Sequence, residues 1–276
     1  MTSTLAKTTF VAPFASGSPT ELPKITVVTP CYNHAPFIEA TIQSVLNQGY
    51  PNLEYIIIDG GSTDGSLEII QKYAEQLAYI GIEPNTGQTY KLIQGFAKAT
   101  GDIFCSVNSD DLFEPGTFHQ VADFFQQNPQ ARVVYGDYSW IDVQGKLIKR
   151  KKELPFFNRF IYMYDIVYIP QPSTFWRRDL YEEVGGFDIQ FDLAMDADLW
   201  IRFADVTPIY HIRSFWSQFR KHPQQKSQQK LLKMQAETDA IWHRYRGDEA
   251  QWLIKIKKFF AMGIRVFGKF ITGCFW

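Results

Sequence analysis

Two adjacent carboxylates, Asp110 and Asp111, close the stretch CSVNSDD directly after a run of small and apolar residues. Like charges at one strand end repel unless a cation or hydrogen bonds compensate. A divalent ion such as Mg²⁺ or Mn²⁺ is one such partner, because it takes oxygen ligands and shares them with substrate phosphates. The alternative is a solvated turn in which NSDD caps the segment that follows. A second acidic pair, Asp196 and Asp198 in MDADLWIR, lies two apart on a helical stretch. Residues so spaced do not share a face, so one carboxylate can act as a base in a cleft while the other caps. Asp59 ends the aliphatic run LEYIIID and precedes Gly60 and Gly61, which permit a sharp turn. An acceptor there suits an imide or a ribose hydroxyl; otherwise the segment is a turn with Asp64 or Ser66 as helix cap. His222, in FRKHP, has no metal-ligand spacing to another histidine, and the chain contains neither GxGxxG nor GxxxxGK[ST].

These residues need strand ends to hold them, and the sequence supplies an alternating frame. ITVVTP, LEYIIIDG, AYIGIEP and DIFCSVNSD read as strands, separated by the helical stretches PFIEATIQSVLNQ, SLEIIQKYAEQL and TYKLIQGFAKAT. This order predicts an α/β fold with a doubly wound parallel sheet, helices on both faces, and ligands at the carboxyl ends of the strands. Beyond Asp111 the pattern predicts a helix in PGTFHQVADFFQQNP, strands in ARVVYGDYSWID and LIKRKKE, and a loop containing YIPQPSTFW. RRDLYEEVGGF, a helix in DADLWIRFADV and an aromatic strand in IYHIRSFWSQFRKH complete a mixed continuation of the same sheet.

The 276 residues, 45% of them hydrophobic, suffice for one large core. A net charge of -1 argues against a nucleic-acid partner. Three well-separated cysteines, Cys31, Cys105 and Cys274, read as reduced thiols. Residues 1–23 read as a mobile tail without the apolar core of a secretory signal, and no stretch has the length and apolarity of a standard transmembrane helix. At the C-terminus, QWLIKIKKFFAMGIRVFGKFITGCFW places Lys255, Lys258, Arg265 and Lys269 on a stripe of roughly 80°, opposite Trp252, Ile256, Phe259, Phe260, Phe267 and Phe270. Such a helix suits peripheral contact with an anionic membrane through residues 251–276, the alternative being a helix packed on the main domain.

Taken in order, TVVTPCYNHAPFIEATIQSVLNQGYPNLEYIIIDGGSTDGS, GQTYKLIQGFAKATGDIFCSVNSDD, VVYGDYSWIDVQGK, QPSTFWRRDLYEEVGGFD, MDADLWIRF and FRKHPQQKS resemble the inverting family 2 glycosyltransferases, over about Ile25 to Ser227. The resemblance implies the A-type glycosyltransferase fold, a Rossmann-like and mostly parallel central sheet flanked by helices, here with a C-terminal helical extension. It implies a catalytic domain over residues 24–227, with a nucleotide-binding half (24–112), an acceptor half (113–227), and a C-terminal helical region (228–276). Pro30, Tyr32 and Asn33 match the motif bordering the nucleotide base, Asp59 the base-binding aspartate, and Asp110 the metal-binding carboxylate of the DxD motif. Asn108 stands where that motif has its first aspartate and retains the capacity to accept a ribose hydrogen bond. Gly60 stands where the family has a second aspartate. Asp196 matches the catalytic base, with Met195 in place of the usual glutamate. Gly185 and Gly186 match a loop that approaches the donor sugar, His222 matches a histidine that touches the metal or diphosphate, and Gln171 and Trp176 fall in a segment facing the acceptor.

The implied function is metal-dependent (Mn²⁺ or Mg²⁺) inverting transfer of a sugar from a nucleotide-diphosphate sugar to a hydroxyl of a saccharide or lipid-linked acceptor. The implied setting is surface polysaccharide or glycolipid assembly on the cytoplasmic face of a membrane. Asn108 and Met195 motivate a second reading, a catalytically weak homologue that binds nucleotide sugar or scaffolds a partner. A sugar nucleotidyltransferase ranks last, because TPCYNHAPF carries no Lys or Arg to hold a triphosphate.

Overall fold

The computed structural model describes residues 22–84 and 86–274, with the side chain of Ser227 left aside. The tail expected over 1–23 lies outside the described residues except for Leu22 and Pro23. Both of those are anchored, their carbonyls accepting from Asn52 Nδ2 (2.8 Å) and Tyr50 Oη (2.5 Å).

Strand β1 (Ile25–Cys31) leads to helix α1 (Ala35–Leu46), β2 (Leu53–Asp59), α2 (Ser66–Gln71), β3 (Tyr79–Ile82), α3 (Gln88–Lys98) and β4 (Ile103–Ser106). β1, β2, β3 and β4 are all parallel, in the order β3-β2-β1-β4. The aliphatic runs of β1, β2 and β4 are explained by burial on both faces, while β3 is an exposed edge strand. Val28, Ile56 and Ile58 enter one core layer with Leu92 and Phe96 of α3, while Val27, Tyr55 and Ile57 enter the opposite layer with Ile38, Ile42 and Val45 of α1. α3 lies so close to β1 that a Cβ on Gly95 would collide with Val28.

The second half adds β5 (Leu112–Phe113), α4 (Thr117–Gln127), β6 (Val133–Ile141), β7 (Leu147–Lys151), α5 (Arg159–Tyr164), β8 (Thr174–Arg177), α6 (Arg178–Glu183), α7 (Met195–Val206) and β9 (Tyr210–Arg220). Among the described residues nine strands form one sheet, continuing from β4 as β8-β6-β9-β5, with β7 paired to β6. β8 joins β4 and β6 antiparallel, β9 runs parallel to β6, and β5 is antiparallel to β9. The sheet is therefore continuous and mixed.

Two local expectations are corrected. The helix read over SLEIIQKYAEQL ends at Gln71 and gives way to a 3₁₀ turn at Ala74–Gln76, because beyond Ile70 the segment is exposed or only half-buried and has no packed face to sustain an α-helix. Within the loop read around YIPQPSTFW, the structure forms a 3₁₀ turn at Gln171–Ser173 and the central strand β8.

The chain ends with α8 (Lys226–Gln229), α9 (Leu231–Arg246) and α10 (Gln251–Thr272). α10 packs on α5, and its inward face takes up half of the basic stripe, while Lys255 and Lys258 stay exposed. Lys269 pairs with Glu153 at 2.9 Å and Arg265 with Asp165, while Ala261 and Gly268 are buried. The aromatic face points outward, with Phe259 and Phe270 69% and 74% exposed. Among the described residues no helix is long and apolar enough to cross a membrane. Cys31, Cys105 and Cys274 are buried and unbonded to one another.

Candidate active site

The carboxyl ends of β1, β2 and β4 lie side by side, with Cys31 opposite Asp59 and Val28 opposite Ser106. A cavity of about 430 Å³ opens there, closed on its far side by the loop before β8 and the first turn of α7. Of the residues singled out from the sequence, Pro30, Tyr32, Asn108, Asp110, Gln171 and Asp196 line it. This is where ligands collect in open α/β sheets.

Asp110 and Asp111 resolve their mutual repulsion by facing different partners. Asp110 Oδ2 lies 2.9 Å from His222 Nε2. Asp111 is 1% exposed; its Oδ1 accepts from the Arg220 backbone N–H at 2.9 Å, and its Oδ2 from Asn108 Nδ2 at 3.2 Å. Burial, and then the Asp110 charge, hold the Asp111 carboxyl well above its ordinary range. Arg220 braces the turn by donating from Nε to the Asp110 carbonyl at 2.9 Å while its guanidinium lies over the Phe37 ring. Asn108 also accepts from Gln88 Nε2 at 2.7 Å, and Gln171 donates to the Ser106 carbonyl at 2.7 Å, so both side chains belong to the cavity floor.

The contact between Asp110 and His222 joins residues 112 apart in sequence. A carboxylate and an imidazole fit a divalent cation that completes its shell with ligand phosphates. They do not fit a protein-only cage, because among the described residues no group of three or more His, Cys, Asp or Glu could hold a metal. His222 Nδ1 is buried without a hydrogen-bond partner. His34 stands nearby, its Nδ1 2.6 Å from Ser109 Oγ, and burial pushes this imidazole below its ordinary value.

Asp196 lies in the first turn of α7, its Oδ1 accepting from the Ala197 N–H at 2.9 Å and no ion pair neutralising it among the described residues. Burial pushes its carboxyl up to about 6. Asp198, on another face, is wholly buried in a network with Arg202 (2.7 Å), Arg244 (3.1 Å) and Tyr245 (3.0 Å). One member of the pair is thus poised to titrate and the other is structural.

Several residues named from the sequence lie outside the cavity lining. Asp59 is fully buried and fastens its own turn, accepting from Gly61 N, Ser62 N and Ser62 Oγ at 2.6–2.9 Å. Asn33 adopts φ 53° and ties the loop after β1 to Thr63 N. Gly185 and Gly186 (φ 84° and 69°) end α6 by donating to the Glu182 and Tyr181 carbonyls, a C-terminal capping turn that requires positive φ. Trp176 is wholly buried, 5.4 Å from the Trp200 ring, because β8 is a central strand covered on both faces.

Sequence reading missed Glu237, on α9, which accepts from the backbone N–H groups of Asp192 (2.9 Å), Leu193 (2.7 Å) and Ala194 (3.1 Å), the turn leading into Asp196. It also missed Lys91 and Lys226, both of which line the cavity. No spacing signal separates these residues from solvated helix positions.

A family model described as Glycosyl transferase family 2 matches residues 26–185. An uncharacterized glycosyltransferase of Rickettsia felis is 27% identical over 231 residues, 81% of this chain and 38% of that one. The probable glycosyltransferase YdaM of Bacillus subtilis is 28% identical over 211 residues, 71% of this chain and 49% of its own. The chain therefore spans less than half the length of these two relatives. Among solved structures, the mannosyltransferase PcManGT of Pyrobaculum calidifontis, in complex with GDP-Man and Mn²⁺, superposes with a TM-score of 0.62 at 18% identity, covering 95% of this chain and 78% of that one. S. aureus TarS 1-349 in complex with UDP superposes with a TM-score of 0.61 at 17% identity, covering 85% and 69%.

Proposed function

Because the chain belongs to glycosyltransferase family 2 and has the A-type glycosyltransferase fold, we propose that it transfers a sugar from a nucleotide-diphosphate sugar to a hydroxyl acceptor with inversion at the anomeric carbon. The observation that carries this reading is Asp196, an unpaired carboxyl with its pKa raised to about 6, in the same cavity as Asp110. In a single displacement the acceptor oxygen bonds to the anomeric carbon as the bond to the diphosphate oxygen breaks. Asp196 takes the acceptor proton, and its raised pKa suits that task near neutrality. Tyr32 and Pro30 border the nucleoside, and Gln171 with Asn108 forms the floor. Asp110 and His222 would hold a divalent cation, whose charge would stabilise the departing diphosphate. The GDP-Man and Mn²⁺ bound by PcManGT and the UDP bound by TarS support this choice of ligands. Residues 24–112 then supply the donor side and 113–227 the acceptor side, with 228–276 bracing the latter.

Calorimetric binding of UDP, GDP and dTDP, with and without Mn²⁺, tests the reading. At least one nucleotide should bind, Mn²⁺ should tighten it about tenfold, and Asp110→Ala should lose that increment. Failure of every nucleotide to bind a folded protein would sink the transferase assignment.

The outward face of α10 favours a lipid-linked acceptor in surface polysaccharide or glycolipid assembly, with the protein held on the cytoplasmic leaflet. Trp252, Phe259, Phe260, Phe267 and Phe270 are exposed along one face, bordered by exposed Lys255 and Lys258. Apolar side chains beside free ammonium groups complement an anionic lipid surface. Flotation with vesicles containing phosphatidylglycerol should carry the protein, and the Phe267→Ser/Phe270→Ser double variant should bind about tenfold less. A dimer that dissociates on the same substitutions, with no vesicle binding, would instead assign the face to a second copy.

A further inference from the structure

Three lysines line the cavity and none has an ion-pair partner among the described residues; Lys221 lies over the Trp140 and Phe219 rings, which leaves Lys91 and Lys226. Lys91, on the first turn of α3, is only 2% exposed, and its Nζ donates a hydrogen bond to the Thr86 carbonyl at 2.9 Å. Lys226, opening α8, reaches Gln88 Oε1 at 3.3 Å. An ammonium carries three donors, so capacity remains on both. The carboxylates that act on them do so from farther away, Asp192 and Asp59 on Lys91, Asp192 and Asp110 on Lys226. Burial lowers both, Lys91 to about 8, and each ammonium also meets like charge, Lys91 from Lys226, and Lys226 from Lys230 and Lys233. A buried cation with spare donors and a cationic neighbour is costly in the free protein. That cost falls when an anion arrives.

The placement indicates which anion. Lys91 Nζ sits beside the end of β1, where a Cβ on Gly60 would lie 3.1 Å from it and 3.1 Å from the Tyr32 ring, so no residue-60 side chain screens it. Lys226 shares Gln88 with Asn108 and thus adjoins the acidic strand end. The pair spans from the nucleoside side to the Asp110 side of the cavity. We propose that Lys91 and Lys226 clamp the diphosphate of the donor nucleotide, so that the nucleotide remains bound by the chain's own cations when divalent ions are removed. This rests on the glycosyltransferase reading and adds to it a second, metal-independent source of charge neutralisation, formed by charge-assisted hydrogen bonds.

Calorimetry in EDTA with UDP, GDP, UMP, GMP and UDP-glucuronate tests it, on the wild type, Lys91→Met and Lys226→Met. One nucleoside diphosphate should bind in EDTA, with its monophosphate at least about tenfold weaker, and each methionine variant should lose about tenfold. Thermal melting of the ligand-free protein supplies a readout that distinguishes function from structure. Lys91→Met keeps the volume and removes an unpaired buried charge, so its Tm should rise by about 2–4 °C, whereas a structural lysine would leave a less stable variant. Binding that disappears in EDTA, returns with Mn²⁺ and is indifferent to both lysine variants would overturn the clamp and leave the transferase reading intact. Lysine-dependent binding of UDP-glucuronate without binding of UDP would move the anion from the diphosphate to the sugar and overturn the assignment. Absence of nucleotide binding with or without metal would remove both.

Discussion

Asp196→Asn is expected to lower kcat on the order of 10³-fold while leaving the nucleotide affinity within about twofold of wild type. The amide retains the shape and the hydrogen bond from the Ala197 N–H but cannot accept the acceptor proton. With a carboxyl near 6, wild-type activity should increase about tenfold per pH unit below that value and level off above it. The same group predicts a stability profile. Its folded pKa of about 6 exceeds the unfolded value of about 3.9, so the folded state binds the proton more tightly. Stability therefore declines as pH rises through that interval. Asn at 196 should abolish this component of the decline and leave the protein more stable at neutral pH. A variant retaining a tenth or more of wild-type kcat, with the acid limb unchanged, would remove Asp196 from proton transfer and favour the weak-homologue reading.

The parallel half of the sheet was legible because strands buried on both faces must be nearly uniform in aliphatic residues, and Ile56, Ile57 and Ile58 can only satisfy that by entering two layers at once. β8 was not, since its four residues, Thr174–Arg177, carry too little pattern to reveal a strand that joins the halves of the sheet. The same brevity explains Trp176: without a central strand to place it, nothing shows that its side chain is covered. Asn158, which caps α5 by accepting from Ile161 N at 3.0 Å, was a readable signal for a helix the sequence reading passed over.

At the site, Asp110 was conspicuous because a strand end in an apolar run makes charge stand out, whereas Asp196 lies in a helix and His222 was named on the resemblance alone. Lys91 and Lys226 were hidden by the opposite logic. A lysine on a short amphipathic helix normally reaches solvent, and only the placement of α3 against β1 turns Lys91 inward. Asp59, which the resemblance matches to a base-binding aspartate, has its oxygens engaged by Gly61 and Ser62. The chain at this position holds the turn that shapes the cavity rim.

Glu237→Ala is expected to reduce kcat on the order of 10²-fold, although Glu237 never enters the cavity lining. Its Oε2 is the shared acceptor for three successive N–H groups, those of Asp192, Leu193 and Ala194, two residues before the base. Asp192 in turn accepts from the Gln88 and Thr89 N–H groups at the start of α3, so one carboxylate on α9 registers the α7 turn against the donor side. Release of that turn displaces Asp196 by a fraction of an ångström to an ångström, which at a reacting centre is worth about 10² in rate. It also lets water reach the Asp196 carboxyl, whose pKa is raised chiefly by burial. The acid limb of the kcat profile should therefore move below 6 in Glu237→Ala. Glu237→Gln keeps an oxygen acceptor without the charge and should recover most of the rate. A purely structural Glu237 would lower Tm in both variants without shifting the pH midpoint, and that result would reduce α9 to a brace with no part in aligning the base.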